Sequence, residues 1–218
     1  MRNTKQKILR MVELAMLLAL VIVLQMFGGF FKIGPFSLSL VLIPIVVGSM
    51  VVGPTGGAIL GAAFGVVVVI QCATGVDAGG NILWTINPFL TAMICLVKGI
   101  AAGLIPGLIY RALTLKKESI GRSVWSALLA SISAPIMNTG LFLLGLSTCF
   151  HSTLIEWAGG TNVLLYVITG LVGINFLIEF TVNLIVSPGI STIVKAVSHS
   201  YRSSKRRIAK TESDDVQS

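Results

Sequence analysis

The segment "NPFLTAMICLVKGIAAGLIPGLIYRAL" covers residues 87–113 and is apolar along nearly all of its length, but Lys98 lies near its centre. A lysine at the middle of a bilayer costs about 2.5–3.5 kcal/mol on insertion scales, and almost always faces protein or a water-filled cavity. Either this segment does not cross a membrane, or Lys98 faces the inside of a membrane protein and has a role there.

The composition of the whole chain favours the second alternative. Hydrophobic residues make up 55% of the 218 positions and charged residues only 11%, whereas a soluble domain has about 25% charged residues. Several apolar runs exceed the roughly 18 residues needed to span a bilayer. We therefore predict an all-α membrane protein, a bundle of six transmembrane helices at about 8–28, 38–53, 56–74, 86–112, 122–148 and 162–194.

The basic residues indicate how the chain is oriented. The net charge is +8, and only Lys32 and Lys98 lie outside three clusters at the N-terminus, around the 112–121 loop and in the C-terminal tail. Basic clusters on alternate connections follow the positive-inside rule, which is a better explanation than a nucleic-acid surface. Both termini are then cytoplasmic, and the outer loops are 29–37, 75–85 and 149–161. Residues 196–218 are predicted to be a polar, disordered cytoplasmic tail.

Small residues recur at four-residue spacing in the third and fourth predicted spans, at Gly53, Gly57, Gly61 and Gly65 and at Gly99, Gly103 and Gly107. Such ridges let helix backbones approach each other closely. Packing within one bundle is favoured, and assembly of several copies through these ridges is the alternative.

Lys98 shares one helix face with Asn87, Thr91 and Cys95, which precede it at helical spacing. A second polar stripe runs along the sixth span, and the fifth span adds Asn138; the stripe contains Asn175, Glu179 and Asn183. Counted at ~1.5 Å per residue, Lys98, Glu179 and Asn138 fall near mid-bilayer. We predict that Lys98 and Glu179 pair inside the bundle with Asn138 nearby.

Two roles remain open for this pair: a structural link between helices, or the floor of a ligand pocket. For Trp84, Asn87 and Asn138 we favour ligand contact. The alternatives are an interfacial anchor for Trp84 and an interhelical hydrogen bond for Asn138.

An intramembrane enzyme is not expected. His151 and His199 lie outside the predicted spans, no HExxH motif occurs, and Glu179 is the only acidic residue in the middle of a span. The three cysteines have no paired spacing that would indicate a disulfide framework or a metal site. We therefore expect no catalytic residues, metal or cofactor.

The stretches "GPTGGAILGAAFGVV" and "PIMNTGLFLLG", together with the length, the six predicted spans and an Ala15-x-x-x-Ala19 motif, resemble the substrate-binding S components of energy-coupling factor (ECF) vitamin transporters. The resemblance covers about residues 8–195. It implies a multi-pass protein of the bacterial cell membrane, with residues 1–195 as its substrate-binding domain.

The resemblance also implies partners and a site. Such a protein binds a vitamin and docks onto one transmembrane coupling protein and two cytoplasmic ATPases, with Ala15 and Ala19 facing the coupling protein. The loop "GGFFKIGPFS" acts as a lid, and the substrate residues carried over by position are Trp84, Asn87, Asn138 and Asn175, beside Lys98 and Glu179.

An inward lysine favours a ligand with a carboxylate, such as pantothenate or folate, whereas a direct pair with Glu179 would neutralise that preference. Pantothenate is the first candidate, with folate and riboflavin as alternatives. The rival function is a self-sufficient channel or secondary transporter assembled through the glycine ridges.

Overall fold

The computed structural model describes residues 2–28, 32–33, 36–37, 40–114, 120–167 and 176–186, together with 173, 189 and 192. Nearly all of this part is helical. In chain order the elements are α1 (Arg2–Gly28), β1 (Lys32–Ile33), β2 (Phe36–Ser37), α2 (Leu42–Val51), α3 (Pro54–Thr74), α4 (Ala78–Ile86), α5 (Pro88–Thr114), α6 (Ile120–Cys149), α7 (His151–Ala158), α8 (Val163–Tyr166) and α9 (Phe176–Val186).

Four helices are long and apolar enough to cross a membrane. They lie at Lys7–Gly28, Pro54–Thr74, Pro88–Thr114 and Val124–Cys149, and they correspond to the first, third, fourth and fifth predicted spans. This confirms an all-helical membrane protein. Within the predicted sixth span, 162–194, the described parts are α8, α9 and three single residues. The count of six and the cytoplasmic side of both termini stay predictions, and the tail at 196–218 lies outside the described residues.

The second predicted span, 38–53, is occupied by α2, which has only 10 residues. At ~1.5 Å per residue it measures roughly 15 Å, about half of a bilayer core. It ends before Gly53, whose φ of 110° interrupts the helix, and Pro54 then begins α3. Leu42 and Ile45 of α2 have no exposed surface. By itself, α2 is thus a buried core helix that is too short to cross the membrane.

The predicted outer loops at 75–85 and 149–161 are largely helical, which corrects the expectation that they are loops. The Asp77 carboxylate accepts a hydrogen bond from the Gly80 N–H at 3.0 Å and so caps α4, and α7 fills most of the second connection. In the 29–37 loop, β1 and β2 form a short antiparallel hairpin, and β2 lies against α4.

The glycine ridges pack α3 directly against α5. A Cβ atom added to Gly57 or Gly61 would meet the carbonyl oxygen of its partner on α5, and one added to Gly65 would lie 2.8 Å from such an oxygen; the partners are Gly103, Gly99 and Cys95. Only glycine permits this approach. The ridges therefore pack within the bundle, as we favoured.

The first helix packs loosely on this core. Only 11% of its membrane-spanning window is buried. Near its end, Gln25 Nε2 donates to Gln71 Oε1 of α3 at 2.8 Å, and Gln71 Nε2 donates to the Gln25 carbonyl at 3.0 Å. These two hydrogen bonds join the C-terminal ends of α1 and α3.

Candidate functional site: a polar cavity around Lys98

A cavity opens between α3, α4, α5 and α6. Its apolar wall includes Val68, Leu83, Ile94 and Phe142, and its polar groups come from Cys72, Asp77, Thr91, Cys95 and Lys98. The cavity volume is about 20 Å³, and the space is about 310 Å³ when the opening is included. That smaller volume is enough for about one water molecule.

Lys98 is the basic residue of this cavity. It lies about 15 Å along α5 from Pro88 at ~1.5 Å per residue, hence near mid-bilayer depth. Its ammonium nitrogen is 4.9 Å from the centre of the Phe142 ring on α6, within the range of a cation–π contact. Lys98 thus faces the interior of the helix bundle, which answers the question raised by its sequence.

The predicted polar stripe on this helix is confirmed in part. Thr91, Cys95 and Lys98 all line the cavity. Asn87, one turn before Thr91, accepts a hydrogen bond from the Leu90 N–H through its side-chain oxygen at 3.1 Å. The Thr91 hydroxyl donates to the Asn87 carbonyl at 2.9 Å. Asn87 therefore caps the start of α5, and its predicted contact with a ligand stays a prediction.

The sequence interpretation gave Asp77 no role, yet Asp77 lines the cavity. Its backbone N–H donates to the Gln71 carbonyl at 3.2 Å, and the side chain of Asn81 on α4 donates to the Cys72 carbonyl at 2.8 Å. Gly80 packs so closely on the Cys72 sulfur that a Cβ atom there would meet it. These contacts hold α4 over the C-terminal end of α3, where it forms one wall of the cavity.

The other predicted mid-membrane residues are buried. Asn138 is 6% exposed and lies one helical turn before Phe142 on α6; its side-chain oxygen has no hydrogen-bond partner among the described residues. On α9, Glu179 and Asn183 are buried, and the Asn183 amide donates to the Glu179 main-chain oxygen at 2.8 Å. The ammonium of Lys98 contacts the Phe142 ring, and the predicted pairing of Lys98 with Glu179 stays a prediction.

The remaining candidates lie outside the cavity lining. Trp84 is partly buried and packs against the core cluster that contains Phe64 and Val68. Ala15 and Ala19 are exposed on α1. Asn175 falls outside the described residues. The part of the chain that the structure describes holds no group of three or more potential metal ligands from His, Cys, Asp or Glu.

Three cavity residues were missed as site residues: Cys72, Asp77 and Phe142. The signal for Asp77 was present, because an aspartate before "AGGNILW" is typical of a helix N-cap. Cys72 and Phe142 resemble ordinary apolar span residues, and only the packing of α3 and α6 around α5 brings them to Lys98.

Long apolar helices around a polar cavity define the class of this molecule, a helical membrane protein. Residues 9–191 match the family described as ECF transporter, substrate-specific component. Because the match covers most of the chain, the protein belongs to this family, and its role is that of a transporter component. Among curated proteins, no sequence match is found.

Proposed function

We propose that this protein captures a small water-soluble vitamin that carries a carboxylate, with pantothenate as the first candidate, in the cavity around Lys98. The family match supports the transport role. The observation that carries the choice of ligand is the ammonium of Lys98, which lies on the cavity wall beside an aromatic ring. A ring attracts a cation but does not cancel its charge, so the ammonium can also bind an anionic ligand.

In this proposal the ligand carboxylate binds Lys98, and the apolar wall holds the rest of the molecule. Vitamin-sized ligands need pockets of about 300–1,000 Å³, so the cavity widens when the ligand enters. The elements that move are α4 and the β1–β2 hairpin beside it, which together act as the lid. The residues proposed to complete the site are Trp84, Asn87, Asn138, Asn175 and Glu179.

Release of the bound vitamin into the cell requires partner proteins. We propose that residues 1–195 form the substrate-binding domain in a bacterial plasma membrane, with 196–218 as a cytoplasmic tail. Ala15 and Ala19 on the exposed side of α1 contact a transmembrane coupling protein, and two ATPases on that protein supply the energy. The protein itself leaves its substrate chemically unchanged.

The first experiment is mass spectrometry of small molecules that copurify with the protein in detergent. It is followed by titration calorimetry with pantothenate, folate and riboflavin. We expect pantothenate or folate to bind with a stoichiometry of one and a Kd below about 1 μM, corresponding to about −8 kcal/mol. Binding of riboflavin alone, which has no carboxylate, contradicts the proposed ligand class. Absence of binding for every carboxylate-bearing vitamin contradicts the proposed ligand class.

A second experiment, an uptake assay in liposomes, separates this proposal from the rival function, a self-sufficient transporter. Uptake that needs the coupling protein and ATP supports an S component, whereas uptake by the purified protein alone supports a self-sufficient transporter. The structure weakens one premise of that rival, because the glycine ridges are already used in contacts between α3 and α5.

A further inference from the structure

Two thiols from different helices meet in the cavity. Cys72 of α3 is 1% exposed and Cys95 of α5 is 4% exposed, and both line the space beside Lys98. Both sulfurs are free thiols. The close packing of Gly65 on the Cys95 backbone fixes the separation of these helices.

From this arrangement we propose that Cys72 and Cys95 form a two-coordinate site for a soft monovalent metal ion of the Cu(I) and Ag(I) class. Thiolates are the protein ligands that soft ions prefer. A linear sulfur–metal–sulfur bridge spans two bonds of roughly 2.3 Å each, and so needs thiols that face each other without being joined by a disulfide of about 2 Å.

The size of the cavity agrees with a single ion. The cavity volume of about 20 Å³ has room for one small ion, so this site does not need the wider state proposed for the vitamin. Two-coordinate binding needs only the two thiols that line this cavity.

The charges of the cavity support the same ligand. Binding replaces two S–H protons by one monovalent ion, so two protons are released and the bridged thiolates carry one net negative charge. No electron is transferred, and the ion keeps its oxidation state. The ammonium of Lys98 lines the same cavity and offsets this charge, while the Asp77 carboxylate accepts the hydrogen bond that caps α4.

The test uses the full-length, reduced protein in detergent with Ag(I) as the probe and a monothiol competitor in excess. Native mass spectrometry counts the silver ions that are retained, and a weakly buffered titration measures the protons released. We expect one retained ion and two protons for the wild type. Cys72→Ser and Cys95→Ser should each lose the retained ion, with an apparent affinity at least tenfold lower.

Cys149→Ser is the matched control, because Cys149 is exposed and lies outside the cavity; it should retain silver like the wild type. Thermal unfolding of each variant checks folding, and Cys72→Ala replaces any serine variant that does not fold. Equal silver retention in Cys72→Ser or Cys95→Ser, or loss only in Cys149→Ser, overturns the proposal. The site does not depend on the proposed vitamin, so failure of either proposal leaves the other standing.

Discussion

The ammonium nitrogen of Lys98 on α5 lies 4.9 Å from the centre of the Phe142 ring on α6. A contact of this kind contributes about 0.5–2 kcal/mol, depending on how far the cation is desolvated. It makes a lysine tolerable in a mostly apolar cavity, yet it leaves the positive charge in place. The same contact therefore stabilises the side chain and keeps it suitable for an anion.

Replacing Lys98 by methionine should abolish tight binding of a carboxylate-bearing vitamin. Removing one partner of a buried charge pair costs about 2–5 kcal/mol, which corresponds to at least a roughly 30-fold increase in Kd. Lys98→Arg retains the charge and should lose less affinity. Titration calorimetry of pantothenate with both variants measures the difference.

Thermal unfolding of the two Lys98 variants is the control for this experiment. Lys98→Met should unfold at the same temperature as the wild type or higher, because an uncharged chain of similar length fills the space. Unchanged pantothenate affinity in Lys98→Met means that the carboxylate binds elsewhere.

The contact between α3 and α5 predicts a glycine that cannot be replaced. A Cβ atom at Gly61 would meet the Gly99 carbonyl oxygen, whereas one at Gly140 on α6 has no atom within 4 Å. Gly61→Ala should lower the free energy of unfolding by about 1–3 kcal/mol through overpacking. Gly140→Ala should be neutral or slightly stabilising, because alanine has the higher helix propensity. Circular dichroism of thermal unfolding in detergent compares the two, and equal losses would contradict this account.

The sequence predicted the features that depend on periodicity. Thr91, Cys95 and Lys98 recur at helical spacing and do share one cavity wall. Side chains that are three or four residues apart lie on the same face of a helix. The glycine ridges likewise predicted a close helix contact, and Gly61 against Gly99 shows it.

What the sequence did not show depends on tertiary packing and on local capping. Phe142 is one of many apolar residues in α6, and nothing in its spacing marks it as the neighbour of Lys98. The start of α4 is capped by the hydrogen bond from the Gly80 N–H to Asp77 within a glycine-containing segment. The short length of α2 results from the break at Gly53, which a hydropathy window averages out.

The amide pair between α1 and α3 predicts unequal effects of two similar substitutions. Gln71→Leu removes both hydrogen bonds, whereas Gln25→Leu leaves the one in which Gln71 Nε2 donates to the Gln25 main-chain oxygen. Interhelical hydrogen bonds in membranes average about 0.6 kcal/mol, with a maximum near 1.7. Gln71→Leu should therefore be the more destabilising by roughly 0.5–1 kcal/mol in denaturant unfolding. Equal losses would show that the side-chain bond, which both variants lack, dominates, and a larger loss in Gln25→Leu would contradict this account.

Asp77 should stabilise α4 through its acceptor oxygen. Asp77→Ala removes the bond from the Gly80 N–H and should cost about 0.5–2 kcal/mol, seen as faster hydrogen exchange of the α4 amides. Asp77→Asn keeps an acceptor and should exchange like the wild type. If the α4 amides exchange equally fast in Asp77→Asn and Asp77→Ala, the negative charge of Asp77 stabilises α4, and its role as a hydrogen-bond acceptor does not.

Ala15 and Ala19 test the proposed docking of α1 on a coupling protein. Both are exposed on a helix whose spanning window is only 11% buried, so a larger side chain there has little to disturb within this chain. Ala15→Leu and Ala19→Leu should each weaken copurification with the coupling module at least several-fold, because small residues permit close helix approach, while vitamin binding stays unchanged. Ala73→Leu is the matched control, since Ala73 is exposed on α3 and should leave assembly intact. Loss of assembly in all three variants would mean that added bulk anywhere on the surface is harmful, and no loss in the α1 variants would place the coupling surface on another helix.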